Sequence, residues 1–313
     1  MTLNPQARAL LDQMAAANAP KLFELPLAEA RAGAIATLQA LEPQGLPIGR
    51  IEDRALPGPA GDVRARIYTP IAAGGAALPC LVFFHGGGFV VGNIESHDAM
   101  CRVLANEAGV KLIAIDYRLA PEAKFPAAVE DAFAAVKWVE ANAMDLDIDA
   151  NRIAVGGDSA GGNLAAVASI MARDEGQLRL KFQLLIYPWL DFAEAARSRE
   201  EFANGYFLDE PTIAWFARSY ANSPDDYSDY RMSPLHAASH KNLPPAHLVT
   251  AGYDPLRDEG RAYASKLREA GVPVSYSEYA GLIHGFANMT AAIDEGRQAV
   301  KEIAAALKAG LAA

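Results

Sequence analysis

An α/β fold, built on a mostly parallel central sheet with helices on both faces, is what the order of elements in this sequence predicts. Three observations lead there. Short apolar runs alternate with amphipathic helical stretches from about residue 78 onward. Two of those runs, "CLVFFHGGG" and "RIAVGG", end in glycines, as strands do when they turn sharply at a sheet edge. The chain has 313 residues, 51% of them hydrophobic, which is enough for one large core or for a domain with insertions.

The elements follow in order. Residues 1–45 read as helices; in "LAEARAGAIATLQAL", Leu27, Ile35, Leu38 and Leu41 fall near one face of a 3.6-residue period. "IEDRALPGPAGDVRARIYTP" reads as two strands around a Gly/Pro turn. "CLVFFHGGG" is a strand, and "SHDAMCRVLANEAG" a helix with Gly109 near its end. "VKLIAIDYR" is a buried strand. "PAAVEDAFAAVKWVEAN" is a helix with Pro126 in its first turn and Val129, Phe133, Val136 and Val139 on one side. "RIAVGG" and "AGGNLAAVASIMA" form the next strand and helix. "KFQLLIYP", "AHLVTAGYD" and "PVSYSEY" read as strands, and "RDEGRAYASKLREAG" and "AAIDEGRQAVKEIAAALKAG" as helices. The alternation breaks over residues 191–242, which hold the aromatic stretch "YFLDEPTIAWFARSY". We expect an inserted, mostly helical cap there, joined by the helices of residues 1–45, over a catalytic domain formed by residues 46–190 and 243–313.

Charge and composition narrow the function. Charged residues make up 21% and the formal net charge is −10, which argues against a nucleic-acid footprint. No stretch approaches the roughly 18 uninterrupted apolar residues that a membrane span needs. The N-terminal "MTLNPQARALLDQMAAANAP" lacks a continuous apolar signal core, so the cytoplasm is the expected location. The two cysteines, Cys80 and Cys101, have neither Cys-x-x-Cys nor zinc spacing and read as reduced, packed residues. No metal-ligand cluster is visible.

In open sheets of this type, ligands bind beyond the carboxyl ends of the strands. Ser159 lies there, in "GGDSAGGNLA", where the strand "RIAVGG" meets a helix. Gly157 and Gly161 complete the pattern Gly-x-Ser-x-Gly, whose sharp corner exposes a nucleophile at the N-terminus of a helix. Taken alone, a serine among glycines is equally a turn residue. Three further segments favour chemistry. "FFHGGGFVVG" places consecutive glycines directly after a strand, and Gly87, Gly88 and Ala160 are candidate N–H donors to an oxyanion. Asp254 follows the strand "AHLVTAGYD" and can orient an imidazole; Asp258, its competitor, reads as a helix-capping residue. His284 follows the last strand in "YAGLIHGFANM", where Gly281 and Gly285 mark a loop. His85 reads as a residue that shapes the glycine loop, and His97, His236, His240 and His247 as structural or solvated. The order Ser159, Asp254, His284 is that of a Ser-Asp-His triad on an α/β-hydrolase sheet. Candidate apolar pocket walls are Phe89, Trp189, Leu208, Trp215 and Phe216, each of which serves equally as a core residue.

Together, "HGGGFVVGNIESHD", "DYRLAPEAKFPAAVED", "GGDSAGGNLA", "AGYDPLRDEG" and "HGF" resemble the hormone-sensitive-lipase family of carboxylesterases, in its bacterial Gly-Asp-Ser-Ala-Gly branch. The resemblance runs from about Ile51 to the C-terminus and is weakest over residues 191–242. It implies an α/β-hydrolase fold with a helical cap, no cofactor, a small-molecule ester substrate of short to medium acyl length, and a structural role for "SHD" and "YRLAPE". Homodimers are common in that family; the sequence does not itself establish one. The same triad also serves amide and thioester hydrolysis, as in an arylformamidase. A non-catalytic receptor on this fold, like the plant gibberellin receptor, is expected to lack a triad residue, and all three are present here.

Overall fold

The computed structural model describes residues 2–176 and 178–312. Two helices come first: α1, Pro5–Ala17, capped by the Asn4 side chain, and α2, Leu27–Leu41. The strands β1, Arg50–Gly58, and β2, Gly61–Thr69, form the expected hairpin. Then follow β3, Leu78–Phe84; α3, Asp98–Ala108; β4, Lys111–Asp116; α4, Ala127–Ala141; β5, Ile148–Asp158; α5, Ala160–Glu175; and β6, Phe182–Ile186. Residues 191–242 contribute the short α6, Arg197–Glu201, the longer α7, Glu210–Tyr220, and two 3-10 turns. The chain closes with β7, Ala246–Tyr253; α8, Arg257–Glu269; β8, Val274–Ile283; and α9, Asp294–Gly310.

The strands form one eight-stranded sheet in the order β1-β2-β4-β3-β5-β6-β7-β8. The strands from β4 to β8 in that order pair in parallel, and the β1–β2 hairpin adds an antiparallel edge. Successive strand residues point to opposite faces. In β3, Val82 and Phe84 join one core with α4, α5 and α8, while Leu81 and Phe83 join the other with α1, α3 and α9. Cys80 and Cys101 are both buried, free, and on opposite sides of the sheet.

Three boundaries differ from the sequence reading. β5 starts at Ile148, ahead of the apolar "RIAVGG", because Ile148 pairs with Leu78 across an irregular register, and the residues between lack an apolar run and are partly or fully exposed. α9 starts at Asp294, since Ile293 turns inward as a buried N-cap residue. β8 continues through Gly281 to Ile283, so the loop begins at His284 itself. There the carbonyl of Gly281 accepts the Asn4 N–H at 2.8 Å, and the N-terminal segment packs against the strand.

Candidate active site

Because β3, β5, β7 and β8 run in parallel, their carboxyl ends open on one sheet edge. β5 ends at Asp158, and Ser159 takes φ +54° and ψ −118° as the residue before α5. For a non-glycine residue this is a strained conformation. It is held by the sheet and helix around it: the Ser159 N–H donates to Ile186 O at 2.9 Å, and Ser159 O accepts from the N–H groups of Asn163 and Trp189. The corner is tight enough that a Cβ on Gly161 would lie 1.9 Å from Phe84 O. Glycine there lets the end of β3, and the loop after it, pass directly against the serine turn.

His284 leaves the end of β8 and Asp254 the end of β7. His284 Nε2 lies 3.0 Å from Ser159 Oγ, and His284 Nδ1 lies 2.8 Å from Asp254 Oδ2. All three residues are buried, Asp254 completely. The other Asp254 oxygen, Oδ1, accepts the Leu256 N–H at 2.8 Å, so both carboxylate oxygens are committed. A hydroxyl, an imidazole and a carboxylate in line can move a proton off the hydroxyl and stabilise the imidazolium that results. Asp258 lies in the first turn of α8 but does not cap it: the N-cap residue is Leu256, and the Asp258 carboxylate is bound to Arg257, Arg261 and the Ser198 N–H.

The glycine loop lies beside this chain of bonds. Gly87 (φ +117°) and Gly88 (φ +60°) have left-handed backbones. Among the described residues, their N–H groups donate to no protein acceptor. Ala160 is the first residue of α5, where N–H groups have no partner within the helix. Tyr187, just after β6, sits with its ring centroid 4.8 Å from that of His284.

The five candidate wall residues fall in two groups. Phe89, Trp189 and Phe216 are buried next to the site. The ring of Phe216, on α7, occupies the space where a Cβ on Gly88 would lie. Phe89 stacks on Tyr220 of α7 at 4.0 Å, and Trp189 stacks on Phe192 at 3.7 Å. Leu208 and Trp215 are half-buried, Trp215 5.0 Å from the Phe216 ring. The ring that reaches the His284 loop belongs to Phe207, which lies against Gly285 and itself holds φ +73°. Sequence reasoning missed Phe207, Phe192 and Tyr220, since pattern alone does not separate a pocket aromatic from a core one. It also passed over Asp158, although that residue stands inside the quoted motif, immediately before the serine.

The remaining histidines have structural settings. His85 stacks on Tyr117, and burial, with His97 nearby, pushes its imidazole down to about 3. His97 is buried against Asp158. His247 bonds Ser275 and His240 bonds Pro234 O, while the exposed His236 lies 3.0 Å from Asp191.

Comparison with known proteins agrees with this architecture. Residues 81–288 match the family described as "alpha/beta hydrolase fold". The chain is 45% identical to the carboxylic ester hydrolase LipN of Mycobacterium tuberculosis, over 83% of this chain and 70% of that one. It is 41% identical to the ethyl acetate hydrolase of Pseudomonas putida, over 78% of this chain and 77% of that one. An ester hydrolase from the Lake Arreo metagenome, solved with a derivative of bipyridine phosphonate, superposes with a TM-score of 0.96 at 45% identity, covering 98% of this chain and 99% of that one. With its parallel sheet, its serine corner and these relatives, the chain belongs to the hormone-sensitive-lipase-like family of α/β-hydrolases and is a carboxylesterase.

Proposed function

We propose that the enzyme hydrolyses small esters of short to medium acyl length through an acyl-enzyme on Ser159. The observation that carries this reading is the unbroken chain from Ser159 Oγ through His284 to Asp254, beside N–H groups with no protein partner. His284 takes the Ser159 proton as Oγ attacks the ester carbonyl, and Asp254 stabilises the imidazolium. The N–H groups of Gly87, Gly88 and Ala160 hold the oxyanion, at roughly 2.7–4 kcal/mol per donor. His284 returns the proton to the leaving alcohol, and water then cleaves the acyl-enzyme by the same route.

Residues 1–45 and 191–242 act as the cap that shapes the pocket. Supporting this, Lys21 Nζ meets Asp209 Oδ2 at 2.7 Å, tying the N-terminal segment to the start of α7. Arg31 of α2 donates to Val90 O and Ala120 O, both at 2.9 Å, next to the glycine loop. From residues 191–242, Phe216 lies against Gly88 and Phe207 against Gly285, the residue after His284. Aromatic walls this close to the oxyanion glycines favour a short acyl group, and the likeness to an ethyl acetate hydrolase agrees with that.

The test is turnover of p-nitrophenyl esters from acetate to palmitate by wild type and Ser159→Ala. The expected result is a maximum at short to medium chains, and a loss in the variant on the order of 10^6-fold in kcat or to the detection limit. Wild-type rates that peak at palmitate, faster turnover of matched anilides than of the esters, or a variant that keeps its activity overturn the proposal.

A further inference from the structure

The loop that bears Gly87 and Gly88 owes its shape to side chains outside the triad. In the peptide between His85 and Gly86, the carbonyl accepts the Tyr117 hydroxyl at 2.7 Å and the N–H donates to Asp158 Oδ1 at 2.8 Å. In the next peptide, the Gly86 carbonyl lies 2.7 Å from His85 Nδ1. A carbonyl only accepts, so Nδ1 carries the proton there. Every polar group of these two peptide units is therefore bound, apart from the Gly87 N–H. Fixing the Gly86 carbonyl fixes the direction of that N–H, because the peptide is planar.

Asp158 is 3% exposed and stands one residue before the nucleophile. An unpaired carboxylate here would oppose negative charge developing on a substrate oxygen. His97 Nε2 lies 3.2 Å from Asp158 Oδ1, and His97 Nδ1 lies 2.9 Å from Ser96 Oγ. The Ser96 hydroxyl spends its single proton on Asn93 O, so it accepts from His97 Nδ1. His97 Nε2 faces both the Asp158 carboxylate and the Gly86 N–H, each at 3.2 Å, and the carboxylate favours the charged form of the ring. Burial, the largest single influence, works against both charges, but the facing charge and the hydrogen bonds around each group together outweigh it, so Asp158 is held below the usual carboxylate range and His97 above the usual imidazole range. Asn288 Nδ2 adds a bond to Asp158 Oδ2 at 3.3 Å. Glu42, buried nearby after α2, is pushed up to about 8 by that burial and stays neutral at lower pH.

We infer that Asp158, charge-paired with His97, is a positioning residue that fastens the oxyanion loop to the nucleophile turn while adding no net charge beside the oxyanion. The inference rests on the reading of Ser159 as nucleophile, and wild-type turnover of p-nitrophenyl butyrate tests that reading first. Given that turnover, the variants are Asp158→Asn, His97→Gln and the double variant. For each, kcat and KM are measured, with the inhibition constant of an aryl boronic acid, which mimics the tetrahedral adduct. For Asp158→Asn we expect kcat to fall by about 10- to 100-fold, less than the 10²–10³ lost with a whole donor. KM stays within about twofold and boronate affinity falls by about the same factor as kcat, the pattern of an interaction made only in the transition state. The double variant is no slower than His97→Gln, because removing the carboxylate removes the unpaired charge. A loss confined to KM, an unchanged boronate affinity, or losses that multiply in the double variant overturn the inference. If Asp158→Asn does not fold by circular dichroism, Tyr117→Phe tests the same loop from its other side, with the same kcat and boronate pattern expected and an unchanged boronate affinity overturning it.

Discussion

Replacing Asp254 by asparagine changes one atom in the buried site, and the structure dictates what that atom does. Asp254 Oδ1 accepts the Leu256 N–H at 2.8 Å, while Oδ2 accepts from His284 Nδ1 at 2.8 Å. An asparagine has one oxygen to offer. If it faces Leu256, its NH2 faces His284 Nδ1, which must then be the unprotonated nitrogen. The proton moves to Nε2, where it blocks acceptance of the Ser159 proton. If the amide flips, two buried donors, its own NH2 and the Leu256 N–H, face each other without an acceptor. At about 1–3 kcal/mol each, this costs roughly 2–6 kcal/mol. The flipped form is also neutral and gives the imidazolium no charge partner. Both routes lead to a loss near 10^4-fold in kcat, about 5.5 kcal/mol, the size known for this exchange in a Ser-His-Asp triad. KM changes little, since Asp254 is completely buried. The assay is steady-state hydrolysis of p-nitrophenyl butyrate at a pH near 8, with a thermal melt to show that the variant is folded. A folded Asp254→Asn that keeps a tenth or more of wild-type kcat would refute the tautomer argument and with it the assigned role of Asp254.

Two other perturbations separate pocket shape from fold stability. Phe216→Ala removes a ring that covers Gly88. It should lower the unfolding free energy by about 3 kcal/mol and shift the p-nitrophenyl ester preference several-fold toward longer acyl chains; an unchanged chain-length profile would place Phe216 outside the acyl pocket. Burial pushes the Glu42 carboxyl from 4.5 up to about 8. Between those values the folded enzyme holds a proton that the unfolded chain has released, so stability falls as pH rises through that window. Glu42→Gln should therefore gain thermal midpoint relative to wild type on going from about pH 5 to about pH 8, and parallel melting curves across that range would remove Glu42 from the account.

The parts of this molecule that were legible in the sequence are those set by short stretches of chain. The alternation of strand and helix, the β1–β2 hairpin, the serine corner and the glycine loop each follow from periodicity or from glycines within about ten residues of one another. The order of Ser159, Asp254 and His284 was readable for the same reason: each follows its own strand, and a parallel sheet brings those strand ends to one edge. Tertiary structure alone decided the rest. Gly86 and Asp158 are 72 residues apart, and only the pairing of β3 beside β5 makes them neighbours. His97 reads as one of several histidines until that pairing sets a buried carboxylate against it. Of the apolar side chains in residues 191–242, Phe216 meets Gly88 and Phe207 meets Gly285, while the half-buried Leu208 and Trp215 meet neither glycine. A run such as "YFLDEPTIAWF" carries no mark of that difference, because apolar side chains are recognised by the surface they bury, and that surface exists only once the chain has folded.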